Sequence, residues 1–192
     1  MLQVTKAEDV IDHGLSLGAD FAELFVERSL TNAISTLSSQ VQSVESGIDF
    51  GIGVRLVFGS KVLYGYTNKT EAEELKRIMG ELAAMDLRDP RVSLQAFDYS
   101  VPVEHHPAHR ILSADADVDS KVAYLMAADA AARASSNLIS QTRGACRQKE
   151  QRIEIFNSEG LHTTDARNYV RATLTAIASD GQDQATGMWS DG

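Results

Sequence analysis

The chain is poor in three things that would each point to a particular class of protein. It has one cysteine, Cys146, so no intrachain disulfide can form, and a cysteine-based metal cluster is excluded within these residues. It has three prolines, all between positions 90 and 107, so the rest of the sequence is free to form long regular elements. It is short of positive charge: 18 basic residues face 27 acidic ones, a net charge of −9 that opposes nonspecific adhesion to phosphate backbones. A direct nucleic-acid role is therefore not expected. No segment reaches the roughly 20 consecutive apolar residues of a membrane span, and the first ten residues, M-L-Q-V-T-K-A-E-D-V, carry acids where a signal peptide needs an apolar run. These features predict a cytoplasmic protein without membrane attachment, in which the sequon Asn68-Lys69-Thr70 has no significance.

What remains is ordinary globular material, 43% apolar and 23% charged over 192 residues, enough for one good core or two small ones. The most informative stretch is Gly18 to Asn68. Within it Ile48, Phe50, Ile52, Val54, Leu56 and Phe58 alternate with Asp49, Gly51, Gly53 and Arg55, which predicts a strand with an apolar face and an opposite face stripped of side chains. Two glycines on one strand face predict close approach of another backbone or a ligand there. Ala22, Leu24 and Val26 alternate with Glu23, Phe25 and Glu27 in a preceding strand, followed by shorter strands at Ile34 to Leu37 and Val41 to Val44. Gly59-Ser60-Lys61 connects Val54 to Phe58 with Val62 to Tyr66 as an antiparallel hairpin.

Helices are expected on either side. Thr5 and Glu8 have capping-box spacing before Val10, Ile11, Leu15 and Leu17, with Gly18 as the stop. Thr70 and Glu73 repeat the spacing before a stripe of Leu75, Ile78, Met79, Leu82 and Met85. Periodicity then fails from Asp89 to Ala114, a stretch with all three prolines and His105, His106 and His109. Asp117 to Leu138 reads as an alanine-rich helix carrying Val118, Val122, Leu125 and Met126. Strands return at Ile139 to Arg147, Gln151 to Asn157 and Ala166 to Ser179, with turns at Ser158-Glu159-Gly160 and Asp180-Gly181. Gln182 to Gly192 resembles the start of another strand, with Trp189 as a core or interface residue, as though the chain were cut short. The expected fold class is α+β, antiparallel sheets packed with helices. The expected organisation is a domain over 1–87, a linker over 88–116 and an incomplete second region over 117–192.

Several strings invite a chemical reading. Gly14-Leu15-Ser16-Leu17-Gly18 matches G-x-S-x-G, but a nucleophile elbow runs from strand to helix and this string lies where a helix gives way to a strand, so Gly18 reads as a cap. His105, His106 and His109 have Pro107 between them and no adjoining glutamate, so they do not make a helical zinc motif. His13 sits on the polar side of the first helix and His162 follows a turn. Asp49 and Arg55 could touch a peptide, although a surface ion pair is the more common role. No phosphate loop or dinucleotide fingerprint occurs.

G-A-D-F-A-E-L-F-V-E-R-S (Gly18 to Ser29), V-Q-S-V-E-S-G-I-D-F-G-I-G-V-R (Val41 to Arg55) and Y-G-Y-T-N (Tyr64 to Asn68) together resemble the amino-terminal domain of the TldD/PmbA family, leaning to its TldD branch. I-F-N-S-E-G (Ile155 to Gly160), D-A-R-N-Y-V-R (Asp165 to Arg171) and A-S-D-G-Q-D-Q-A-T-G (Ala178 to Gly187) resemble the part that follows. The family comprises zinc metallopeptidase subunits and metal-free partners, historically named modulators of DNA gyrase. The resemblance implies a homodimer, or a heterodimer with a PmbA-like paralogue, whose cavity admits unfolded peptides. It also implies zinc in the full-length protein, held by H-E-x-x-x-H and a later cysteine. That motif is absent from this sequence, so no catalytic or metal-binding residue is assigned here, no cofactor is expected for this stretch, and the stretch alone is expected to be inactive.

Overall fold

The computed structural model describes residues 2–86 and 117–192. The elements run α1 (Val4–Ser16), β1 (Phe21–Leu37), β2 (Gln40–Phe58), β3 (Lys61–Thr67), α2 (Ala72–Ala83), α3 (Val118–Ser135), β4 (Ile139–Asn157), β5 (His162–Ser179) and β6 (Gln184–Asp191). The strands form one antiparallel six-stranded sheet in the order β3-β2-β1-β4-β5-β6. The fold class is α+β, as the sequence implies. The residues expected as a linker, with the prolines and His105, His106 and His109, lie outside the described residues.

Two compact units emerge from the contacts. The first takes in Met1–Arg28, Asp49–Pro107 and Arg152–Ala166, the second Ser29–Ile48, Ala108–Gln151 and Arg167–Gly192. β1, β2, β4 and β5 thus each contribute to both. The segments read separately as Ile34 to Leu37 and Val41 to Val44 are parts of β1 and β2, and the two separate readings between Ile139 and Asn157 are one strand, β4. Polar residues within these strands interrupt the apolar signal but not the backbone ladder, whose hydrogen bonds do not depend on side-chain type.

In the first unit one sheet face and two helices share a core. β1 contributes Ala22, Leu24 and Val26, β2 contributes Ile52, Val54, Leu56 and Phe58, α1 contributes Val10, Ile11 and Leu15, and α2 contributes Leu75, Ile78, Met79 and Leu82. Each of these side chains larger than alanine, taken fully from water, stabilises the fold by about 1.5–3 kcal/mol. Phe50 is half-buried against this cluster, whereas Ile48, in the second unit, is 61% exposed, so the expected apolar row ends before it. The hairpin between β2 and β3 is as expected: Phe58 pairs with Lys61 and Gly59 takes a φ of 62°. Asp20 fastens this turn by accepting a hydrogen bond from the Gly59 N–H at 2.6 Å.

Both capping boxes fail. α1 begins at Val4 with Gln3 as its cap and α2 at Ala72 with Glu71, and neither cap side chain accepts a hydrogen bond from the helix. Thr5 is already inside α1, and Thr70 precedes the cap of α2; the Thr70 carbonyl instead accepts from Lys6 Nζ at 3.1 Å. Met85 falls past the end of α2 and is 57% exposed. The stop signal at Gly18 holds, with a φ of 93° that only glycine adopts without strain.

The second unit has a thinner apolar core, Ile34, Leu125 and Cys146, with Val118, Val122 and Val170 packed against it. α3 starts at its Asp117 cap, whose carboxylate accepts from the Ser120 N–H at 2.7 Å, and Met126 is half-buried. Ser38 and Ser39, with φ of 46° and 65°, turn β1 into β2; two successive left-handed residues make the type I′ geometry that suits the strand twist. The Asp180 carboxylate accepts from the Gln182 and Asp183 N–H groups at 2.9 and 2.8 Å, tightening the turn into β6. Trp189 is no core residue of this chain, being 45% exposed with its ring centroid 6.4 Å from that of Tyr124.

The close approach expected at Gly51 and Gly53 occurs instead at Gly65. A Cβ at Gly51 or Gly53 meets nothing nearer than 3.7 Å, whereas one at Gly65 lies 2.6 Å from Ile78 Cγ2. Gly65 lets α2 settle on β3. Gly65→Ala is therefore expected to destabilise the protein by about 1–3 kcal/mol through overpacking. Gly53→Ala is expected to be neutral or slightly stabilising. Urea denaturation of the two variants checks the ranking, and equal midpoints would refute it.

Candidate functional site

Among the described residues no group of three or more His, Cys, Asp or Glu side chains is placed to hold a metal ion. The described residues thus do not fit a metal centre. Two buried polar clusters instead secure the scaffold. In the first unit Glu154, buried on β4, accepts from the Leu2 N–H at 3.0 Å and lies 3.0 Å from His162 Nε2. The His162 ring stacks on Phe156 at 4.3 Å. Glu154, held in turn by this histidine, anchors the amino terminus of the unit. Cluster and turn are adjacent in sequence: Ser158 donates its N–H to the Ala22 carbonyl at 2.8 Å, and its Oγ accepts the Ala22 N–H at 3.0 Å.

In the second unit α3 presents Asp129, 4% exposed, to the sheet. Its carboxylate accepts hydrogen bonds from Thr142 Oγ1, from Ser39 Oγ at 2.6 Å and from Arg133 Nε at 3.3 Å, and Arg133 also donates to Thr142 at 3.0 Å. Burial alone would raise the Asp129 pKa; the hydroxyl donors Ser39 and Thr142 and the charge of Arg133 outweigh it and hold the group below its ordinary value. Neither Asp129 nor Glu154 was singled out in the sequence. The available signal was a polar residue where the burial period demands an apolar one, as at Thr142, Gln148, Glu150 and Glu154 along β4, all buried.

Two exposed regions have the character of contact surfaces. On the sheet face of the first unit opposite α1 and α2, Arg55 pairs with Glu23 at 2.8 Å rather than with Asp49, and its guanidinium lies 5.0 Å from the Phe21 ring centroid and 6.0 Å from that of Tyr64. Tyr64 and Tyr66 are 65% and 87% exposed, beside the bare backbone of Gly51 and Gly53. The result is an aromatic and glycine surface on which an extended chain can lie flat. In the second unit an open cleft of about 860 Å³ is lined by strand segments Thr31 to Ala33, Arg147 to Lys149 and Asn168 to Arg171, and by Ser190 to Gly192. On the opposite, buried face of the same strands Gln148 Nε2 donates to Asn168 Oδ1 at 3.2 Å. The remaining strings carry no chemistry: Ser16 Oγ donates to the His13 carbonyl at 2.7 Å at the end of α1, and Gly14 accommodates Met79 and Leu56, whose nearest atoms would lie 2.9 and 3.0 Å from an added Cβ.

This arrangement has counterparts. The profile of the PmbA/TldA metallopeptidase domain 1 matches residues 22–85 and that of the PmbA/TldA metallopeptidase central domain matches residues 111–192. The two are consecutive parts of one metallopeptidase architecture. The chain belongs to the TldD/PmbA family. A metalloprotease TldD homolog of Haemophilus influenzae is 20% identical over 186 residues, 96% of this chain but 38% of the relative's length. Among solved structures, a candidate modulator of DNA gyrase from Thermotoga maritima superimposes with a TM-score of 0.78 at 11% identity, covering 97% of this chain and 42% of that one. TldE from Thermococcus kodakarensis gives 0.69 at 17% identity with the same coverages, 97% and 42%. At these identities the likeness to the solved structures is one of fold.

The Asp129 cluster makes a pH prediction. Because the folded pKa is depressed, the stabilisation is complete above the unfolded value of about 3.9 and is lost as pH falls through the folded value. Asp129→Ala is expected to cost about 1–3 kcal/mol at neutral pH by stranding buried donors, with the deficit relative to the wild-type chain shrinking in acid. A deficit independent of pH in paired denaturation curves would contradict the assignment.

Proposed function

We propose that this chain is the amino-terminal portion of a TldD-like zinc metallopeptidase acting on unfolded peptides in the cytoplasm. The observation that carries this reading is the match, in order, of two successive domains of a metallopeptidase family, together with the near-complete alignment of the chain to a metalloprotease TldD homolog. Its residues supply scaffold, cavity lining and subunit contacts, in a homodimer or with a PmbA-like paralogue. An amino-terminal domain over 1–87, a linker over 88–116 and a second region from 117 onward serve these roles. The sheet faces opposite the helices support peptide handling on physical grounds: backbone-directed contact with an extended chain is indifferent to side-chain identity, which suits unfolded substrates. The zinc ligands and the water-activating glutamate belong to H-E-x-x-x-H, a motif this sequence does not contain.

A second reading is a noncatalytic PmbA-like partner subunit, favoured by the fold shared with TldE. The two differ in whether the gene product carries the metal motif. The 192-residue chain alone is expected to leave an unfolded polypeptide such as carboxymethylated casein intact, while a gene product bearing H-E-x-x-x-H hydrolyses it and loses that activity to a chelator. Hydrolysis by the shorter chain would overturn the first reading. A frame without the motif would establish the second.

A further inference from the structure

β4 and β5 are neighbours in the sheet, and burial alternates along them from Thr142 to Glu150 and from Arg167 to Leu174. On β4 Thr142, Gly144, Cys146, Gln148 and Glu150 are buried, and Arg143, Arg147 and Lys149 between them are exposed. On β5 Ala172 and Leu174 are buried and Val170 packs against the Leu125 cluster, so Arg167, Tyr169 and Arg171 occupy the opposite face. Five cations therefore share one face of two adjacent strands, in a chain whose net charge is −9. The β1 residues on that face, Thr31, Ala33 and Ser35, are uncharged. Arg143, Arg147 and Arg171 have no acidic partner among the described residues. Arg147, Lys149 and Arg171 line the 860 Å³ cleft, in which Asp191 is the sole carboxylate lining residue.

We propose that this face docks the acidic segments of an extended polypeptide, giving the peptidase of the preceding section a preference for aspartate- and glutamate-rich substrates. The inference rests on that reading for its catalytic consequence but not for the binding itself. Arg143 and Arg147 on β4, like Arg167 and Arg171 on β5, stand four residues or about 13 Å apart, and an extended peptide repeats its same-face side chains at half that distance, so acidic groups four residues apart meet them in register. Arginine binds carboxylates through a two-pronged fork, and an exposed Tyr169 adds a flat surface for the peptide backbone. The overall negative charge disfavours a long polyphosphate, which extends well past the patch, more than a short acidic peptide, which does not.

The test uses the full-length gene product with its metal chelated, so that binding is read without hydrolysis. A fluorescein-labelled unstructured peptide of about 15 residues with alternating glutamates, long enough to span the strands, is titrated by anisotropy beside neutral and lysine-containing counterparts and an oligothymidylate. The glutamate peptide is expected to bind about tenfold tighter than the neutral one, to weaken steeply with salt, and to lose this advantage in Arg147→Glu/Arg171→Glu. Circular dichroism and the melting temperature establish that the variant is folded; Arg143→Glu, on the same strand face but outside the cleft lining, gives a partial loss. Equal affinity for neutral and acidic peptides, or tighter binding of the oligothymidylate, overturns the proposal. Metal-restored hydrolysis that ignores peptide charge leaves the peptidase reading standing and sinks the acidic preference. Acidic-peptide binding without hydrolysis of any peptide does the reverse.

Discussion

The alternation of side chains across an extended backbone is the constraint on which this structure depends. Strands of 17 to 19 residues, as β1, β2, β4 and β5 are, put every second side chain on one face, and that rule holds whether the residue is leucine or glutamate. In the first unit the rule meets an apolar row and produces a dense core under α1 and α2. In the second it meets Thr142, Gln148 and Glu150, and the buried face must be satisfied by hydrogen bonds as much as by packing. The two units thus solve the same geometric problem with different chemistry.

How far the sequence disclosed this follows from the same contrast. Where apolar residues supply the period, as from Ile52 to Phe58 or from Leu75 to Leu82, element, face and core were all legible. Where polar residues occupy the buried positions, strands were read as fragments and Asp129 and Glu154 were not singled out; among their partners Ser39 and Leu2 lie 90 and 152 positions away in the chain. The capping boxes were misleading for a related reason. The spacing Thr-x-x-Glu states what a helix end could use, and here both helices start at other residues, Gln3 and Glu71, and forgo a stabilisation of about 1 kcal/mol.

The contact surfaces divide along similar lines. The bare glycine face of β2 was visible as a pattern, yet its meaning differed: room for a Cβ remains at Gly51 and Gly53, and the crowded glycine of this hairpin is Gly65, which nothing in its local sequence marks. Arg55 was correctly singled out as an ion-pair residue, but its partner is Glu23 on the adjoining strand, since cross-strand neighbours are fixed by register rather than by sequence distance. The cationic face of β4 and β5 escaped a reading by net charge because a sum over 192 residues hides an uneven distribution.

Cys146 gives the thin core of the second unit a further property. The thiol is 4% exposed and burial pushes its pKa up, so the folded chain holds it as an unreactive thiol rather than a thiolate. Since it is the only sulfhydryl in these 192 residues, a modifying reagent reaches the chain only through excursions that lift α3 from the sheet. The rate of alkylation is then a direct clock for the opening of that one layer, separable from unfolding of the leucine-rich core, without any label having to be engineered.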